Sequence, residues 1–128
     1  MSARTDFVAL LTGNLPAGTQ VYNHGADLIK LPAVVVQPGD PWLEYSALAA
    51  GGSAYTVRLE VICQVKRTTQ VAARIAELET LVDAVMAAVT PSAFKLDEAA
   101  APASVTTGDV EAIGSTLTFY SRLQGGLA

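Results

Sequence analysis

The feature that most constrains this chain is a change of hydrophobic period between Tyr55 and Thr90. Up to Lys66 the apolar residues alternate with polar ones, and period two over that length predicts a strand with one buried face. That face consists of Tyr55, Val57, Leu59, Val61, Cys63 and Val65. From Val71 the apolar residues recur every three or four positions, which predicts a long helix. This strand and helix can supply most of a small core.

The predicted helix has one continuous apolar stripe, which consists of Val71, Ile75, Leu78, Val82, Val85 and Val89. Thr68 or Thr69 can cap its start, and Pro91 disfavours helical geometry at Thr90, so the helix should end there. A second flank, which includes Leu81, is rich in alanine. Either the fold or another subunit covers that flank, or alanine is present because it forms helices well at exposed positions.

The other elements are shorter. Residues 2–11 have the spacing of a first helix, residues 18–22, 31–36, 103–110 and 114–123 have the composition of strands, and residues 92–102 read as a connection. The fold class is therefore α+β: a mostly antiparallel sheet of about four to five strands, with one long helix packed on it and a short N-terminal helix. We expect residues 1–128 to form a single domain, with a frayed tail at about residues 124–128.

Residues 37–54 combine structure-breaking residues with large apolar ones. Pro38, Pro41, Gly51 and Gly52 favour a flexible loop over about this range. The large side chains are Trp42, Leu43, Tyr45 and Leu48. Such side chains are costly to leave in water, so the loop either folds back over the core or orders against another subunit. These four residues are the candidate interface site.

Charge and cysteine content limit the function classes. The net charge is −4, with eight Lys and Arg residues, and the largest basic cluster is the pair Lys66 and Arg67, which argues against specific nucleic-acid binding. A single cysteine, Cys63, excludes an intrachain disulfide, and its place on the buried face predicts a shielded thiol. There is no signal-peptide pattern and no stretch that could span a membrane, so we expect a soluble protein of a reducing cytoplasm.

The sequence offers little chemistry. His24, the only histidine, lies beside Gly25 in a predicted turn and is expected to be a solvated loop residue. The carboxylates are scattered and do not follow the calcium-loop pattern, and Gly51-Gly52-Ser53 lacks the lysine of a phosphate loop. We therefore expect no enzyme activity, no cofactor, no metal site and no catalytic residues.

The layout as a whole resembles the tail terminator proteins, also called tail completion or minor tail proteins, of long-tailed bacteriophages. The resemblance begins with the short helix at residues 2–11 and the run Leu-Pro-Ala-Val-Val-Val that leads into Pro-Gly-Asp-Pro-Trp-Leu, residues 31–43. It continues with Tyr-Thr-Val-Arg-Leu-Glu-Val at residues 55–61 and the long helix at residues 72–89. It covers nearly the whole chain, although its motifs are degenerate.

This resemblance implies a structural virion protein of the phage tail or neck, assembled in the cytoplasm of the bacterial host. It implies a ring, usually of six subunits, which sits on the tail tube, stops its polymerisation and offers a joining surface to the head-completion or stopper protein. DNA would pass through the lumen without specific binding. Two alternatives stay open: another head–tail connector or adaptor protein of the neck, and a small ligand-binding or enzymatic α+β domain.

Overall fold

The centre of the sheet is β3 (Ser53–Lys66), the strand that the alternating pattern predicted. It pairs antiparallel with β2 (Ala33–Ala47) on one side and with β6 (Val110–Gln124) on the other. The predicted buried face is confirmed at Val57, Leu59, Val61, Cys63 and Val65. The structure, a computed structural model, describes residues 3–22, 30–47, 53–92, 94–107 and 110–124.

The remaining elements complete an α+β fold, as predicted. They are α1 (Ala3–Leu11), β1 (Gln20–Tyr22), α2 (Val71–Val89), β4 (Lys95–Ala99) and β5 (Ala103–Thr107). In the described part of the chain, six strands form one sheet in the order β1-β2-β3-β6-β4, and β5 also pairs with β6. The sheet is mixed, because β1 is parallel to β2 while the other pairings are antiparallel. Because six strands are described, the expected count of four to five strands was wrong.

The missed strand is β4, which lies inside the predicted connection at residues 92–102. All five of its residues are exposed, and its sequence, Lys-Leu-Asp-Glu-Ala, has neither alternation nor β-branched residues. Main-chain pairing to β6 holds β4 in place. Its side chains have no strand propensity from which the sequence could predict it. β4 and β5 follow each other along the same edge of β6.

The predicted loop at residues 37–54 was also wrong for the residues that the structure describes. Residues 37–47 continue β2, and residues 53–54 belong to β3. β2 tolerates Pro38 and Pro41 because β1 pairs only with its first three residues, 33–35, so that within the described chain the rest of that side is an open edge. The register with β3 shifts between Pro38 and Leu43, and this bulge accommodates the residues that break regular pairing.

The long helix α2 has the predicted bounds but is rotated from the predicted stripe. Leu78, Val85 and Val89 are buried as expected, whereas Ile75 and Val82 are half-buried and Val71 is 41% exposed. Leu81, placed by sequence on the second flank, is buried instead. The reason is that α2 packs on both the sheet and the α1 side of the molecule, so the covered arc is shifted toward α1.

The two ends of α2 differ in how well they were predicted. The residue at the N-cap is Gln70, whose side chain makes no capping hydrogen bond, so the expected cap at Thr68 or Thr69 was wrong. The Thr68 hydroxyl instead accepts hydrogen bonds from the Gln70 amide at 3.2 Å and from Arg74 Nε at 3.3 Å. At the other end the helix finishes at Val89, as predicted, but the expected reason was wrong. Thr90 keeps helical dihedral angles (φ −48°, ψ −44°), and its amide donates to the Met86 carbonyl oxygen at 2.9 Å.

The short helix α1 closes the core beside α2. Phe7 and Leu11 are fully buried, and the Phe7 ring stacks edge-on against Phe94 and tilted against Phe119, with ring centroids 5.1 Å apart in both pairs. These contacts tie the first helix to the segment before β4 and to β6. Neither described helix is long and apolar enough to cross a membrane.

Candidate interaction surfaces

Two of the four candidate interface residues, Leu43 and Tyr45, lie on the far half of the β2–β3 hairpin. In that half, which we call the arm, residues 43–47 of β2 pair with residues 53–57 of β3. Leu43 is half-buried opposite Val57, and Tyr45 pairs through its backbone with Tyr55, but the Tyr45 side chain is outside the described part. Leu48 also lies outside the described residues. Trp42 directly precedes the arm.

Trp42 is the most exposed large apolar side chain among the described residues, at 44%. It lies in the bulge, where residues 39–42 of β2 stand opposite the single residue Arg58 of β3. Gly39 permits a close approach of β2 to β3 here. A Cβ at that position would lie 2.9 Å from Arg58 Cβ and 3.1 Å from the Arg58 carbonyl oxygen. The bulge therefore fixes the backbone on which Trp42 is displayed.

The face of the sheet around Arg58 is polar. Arg58 Nη1 lies 3.4 Å from Glu44 Oε2, and this pair bridges β3 to the arm segment of β2. The same arginine borders a polar depression of about 270 Å³. Its other lining residues are Glu60, Asp97, Glu98, Thr116 and Thr118. The carboxylates outnumber the single guanidinium, so this face is acidic.

A second surface is an apolar groove of about 280 Å³ between α2 and the connection from β4 to β5. We call it the α2–β4 groove. Its helical wall consists of Leu78 and Val82, with the carboxylates of Glu79 and Asp83 beside them. The opposite wall is built from the small residues Ala99, Ala100 and Pro102, together with Ser115 of β6. All five residues of β4 are exposed, and its Leu96 is 37% exposed.

The small-residue wall of this groove is held by two hydrogen bonds. Ser115 Oγ donates to the Ala100 carbonyl oxygen at 2.7 Å, and the Ala100 amide donates to the Thr116 carbonyl oxygen at 2.9 Å. Ser115 is itself buried, at 6% exposure. These bonds fix the connection against β6, so the groove exists before any partner arrives.

A third depression, also of about 280 Å³, lies on the other flank of α2 against the segment between α1 and β1. Thr19 and Thr80 line it, and the Thr19 hydroxyl oxygen is buried without a hydrogen-bond partner. Buried hydroxyls of this kind commonly bind an ordered water molecule. The hydroxyl therefore does not by itself identify a ligand.

The described residues offer little material for catalysis. They contain no cluster of three or more His, Cys, Asp or Glu residues that could hold a metal ion. Cys63 is fully buried on the core face, and desolvation raises the pKa of its thiol to about 12, so the reactive thiolate is scarce at neutral pH. His24 lies outside the described residues.

Sequence reasoning found the exposed tryptophan but missed the groove. The sequence placed the Ala99–Pro102 wall in an alanine-rich connection, and nothing in small residues indicates a recess. It also treated Glu44 as one scattered carboxylate, whereas the structure places it against Arg58, fourteen positions away in the chain. Strand pairing creates both features.

No protein-family model matches the sequence, and no curated protein matches it. Function is therefore inferred from the chain's own layout and surfaces.

Proposed function

We propose that this chain is a structural subunit of a bacteriophage tail or neck, a tail terminator that forms a ring on the end of the tail tube. The ring, of six subunits, stops tube growth and presents a joining surface to the head-completion protein. DNA passes through its lumen without specific binding. The sequence layout described above, from the first helix to the long helix, supports this assignment.

The observation that carries the proposal is the exposed tryptophan on an extended hairpin. Trp42 is 44% exposed on a strand whose side is open, within the described chain, beyond residues 33–35. Large aromatic side chains in such places are typical anchors of protein interfaces. An open sheet edge is also a surface that natural proteins normally cover or protect. A neighbouring subunit would cover both.

The acidic character of the chain fits the role assigned to the lumen. The net charge is −4, and the sheet face around Arg58 carries more carboxylates than cations. A protein that must let DNA pass gains nothing from a basic surface, because phosphate contacts would retain the DNA.

Tube length tests the proposed function. The purified chain would be added to polymerising tail-tube protein from the genome that encodes it, and tube lengths would be measured by electron microscopy. A terminator shortens the tubes in proportion to its concentration and appears as a ring at one tube end. Tubes of unchanged length with bare ends, or a genome without a tail-tube protein, would reject the proposal.

A further inference from the structure

We propose that Trp42 of one subunit inserts into the α2–β4 groove of the next subunit. This inference rests on the proposed ring, and it names the two surfaces that would join neighbouring subunits. We call the Trp42 side chain the knob. The knob is on β2 and the groove borders β4, so they lie toward opposite edges of the sheet, whose order is β1-β2-β3-β6-β4. A contact between two different surfaces repeats head to tail, and it closes into a ring when the rotation per subunit permits.

The groove has the size that an indole ring needs. It measures about 280 Å³, and its walls are apolar side chains of α2 and small residues of the β4–β5 connection. For comparison, an engineered apolar cavity of about 150 Å³ holds a benzene molecule. The groove therefore has enough volume for a two-ring aromatic group.

The polar groups also match. The indole of Trp42 has one hydrogen-bond donor, Nε1, which prefers a partner when the ring is buried. Glu79 and Asp83 line the groove with acceptor oxygens, and both residues are exposed within the subunit. An aliphatic knob would leave these carboxylates without a new partner, whereas tryptophan can satisfy one of them.

Both surfaces are preorganised. Gly39 packs directly on Arg58 in the bulge that carries Trp42, and the Ser115 and Ala100 hydrogen bonds hold the far wall of the groove. Little conformational freedom is therefore lost on association, which favours a specific contact over a diffuse one.

The first test maps the contact directly. Trp42 is replaced by the photo-crosslinking residue p-benzoylphenylalanine in the full-length chain, and the cross-linked peptides are identified by mass spectrometry under conditions where the ring forms. We expect crosslinks between chains to residues 78–83 or 99–102. Crosslinks between chains that map elsewhere, or their absence from an assembled ring, would overturn the inference and leave the proposed function standing.

The second test uses complementary variants. Trp42→Ala removes the knob, and Ala100→Trp fills the groove from its own wall. Each variant alone should fail to form rings, while an equimolar mixture should stop at dimers, because only one knob and one groove remain intact. Circular dichroism and thermal melting would establish that both variants fold.

Matched controls place the same changes elsewhere. Val71→Ala removes an exposed apolar side chain from the first turn of α2, and Ala73→Trp adds a tryptophan to the helix flank that carries Thr80. Both should assemble as the wild type does. Rings from folded Ala100→Trp protein, or larger assemblies in the mixture, would overturn the inference alone. A wild-type chain that forms no ring, with or without tube ends, would overturn the proposed function too.

Discussion

At the scale of single residues, Gly39 shows how sterics rather than backbone conformation can require a glycine. No positive φ is involved; the constraint is Arg58, because a Cβ at position 39 would lie 2.9 Å from the Arg58 Cβ and 3.1 Å from the Arg58 carbonyl carbon and oxygen. The sequence offered only the Pro38-Gly39 pair as the end of a predicted strand, because the close approach of two paired strands cannot be recognised from one strand. Its partner, nineteen positions away, is set by the register of the hairpin.

Gly39→Ala should therefore destabilise the fold by about 1–3 kcal/mol, the usual cost of overpacking. Chemical denaturation monitored by circular dichroism would measure this change in the free energy of unfolding. Pro38→Ala is the control, because Pro38 is exposed and adjacent, and its effect should be small by comparison. Equal midpoints for Gly39→Ala and wild type would show that β2 and β3 approach less closely at Gly39 and Arg58 than described.

Cys63 gives a pH-dependent prediction. Burial raises the pKa of the thiol to about 12 from its ordinary value of 9.0, so the folded state keeps the proton that the unfolded state releases first. The contribution of the protonated thiol to the free energy of unfolding is fully present below about pH 9 and is lost as pH rises toward 12. Cys63→Ala should remove that part of the decline, as measured by denaturant midpoints from pH 8 to 11. A variant with the same pH slope as wild type would contradict the assignment.

The same thiol should react slowly with an aromatic disulfide reagent at pH 7 in the native state and quickly after denaturation. Absorbance of the released thiolate gives both rates. Rapid native labelling would place Cys63 on the opposite face of β3.

At the scale of elements, the length and regularity of a pattern decided what the sequence could predict. β3 and α2 were found because alternation and helical spacing persist over many residues. β4 and the later part of β2 were missed because neighbouring strands determine them: one is a short charged edge strand, and the other crosses prolines at an open edge. The rotation of α2 was missed because packing against α1 is a tertiary effect.

Leu78→Ala tests the packing of α2 on the sheet. Leu78 is 1% exposed, so truncation should cost about 2–5 kcal/mol in the free energy of unfolding. Val71→Ala, on the same helix but exposed, should change stability by less than about 0.5 kcal/mol. Both can be measured by urea denaturation. An unchanged midpoint for Leu78→Ala would refute the strand–helix core.

At the scale of the whole molecule, the candidate interface depends on features from distant parts of the chain. Sequence alone selected four interface residues, since large apolar side chains among prolines and glycines are costly to expose. They are Trp42, Leu43, Tyr45 and Leu48. The sequence could not place Trp42 and the groove toward opposite edges of one sheet, because that arrangement follows from strand order.

The double variant Trp42→Ala with Tyr45→Ala should keep the fold but lose ring formation and tube capping. The reason is that each lost aromatic contact is repeated at every subunit boundary of a ring. Circular dichroism would check the fold, and electron microscopy would check capping. Capping at the wild-type concentration would show that these aromatic residues are not assembly contacts.

The most direct test of the central claim is the native mass of the assembly formed by the wild-type chain, alone and in the presence of tail-tube ends. The proposed terminator function predicts a closed assembly with six times the 13.3 kDa subunit mass, at least when tube ends are present. A chain that stays monomeric at all concentrations and leaves tube ends unbound would contradict the claim.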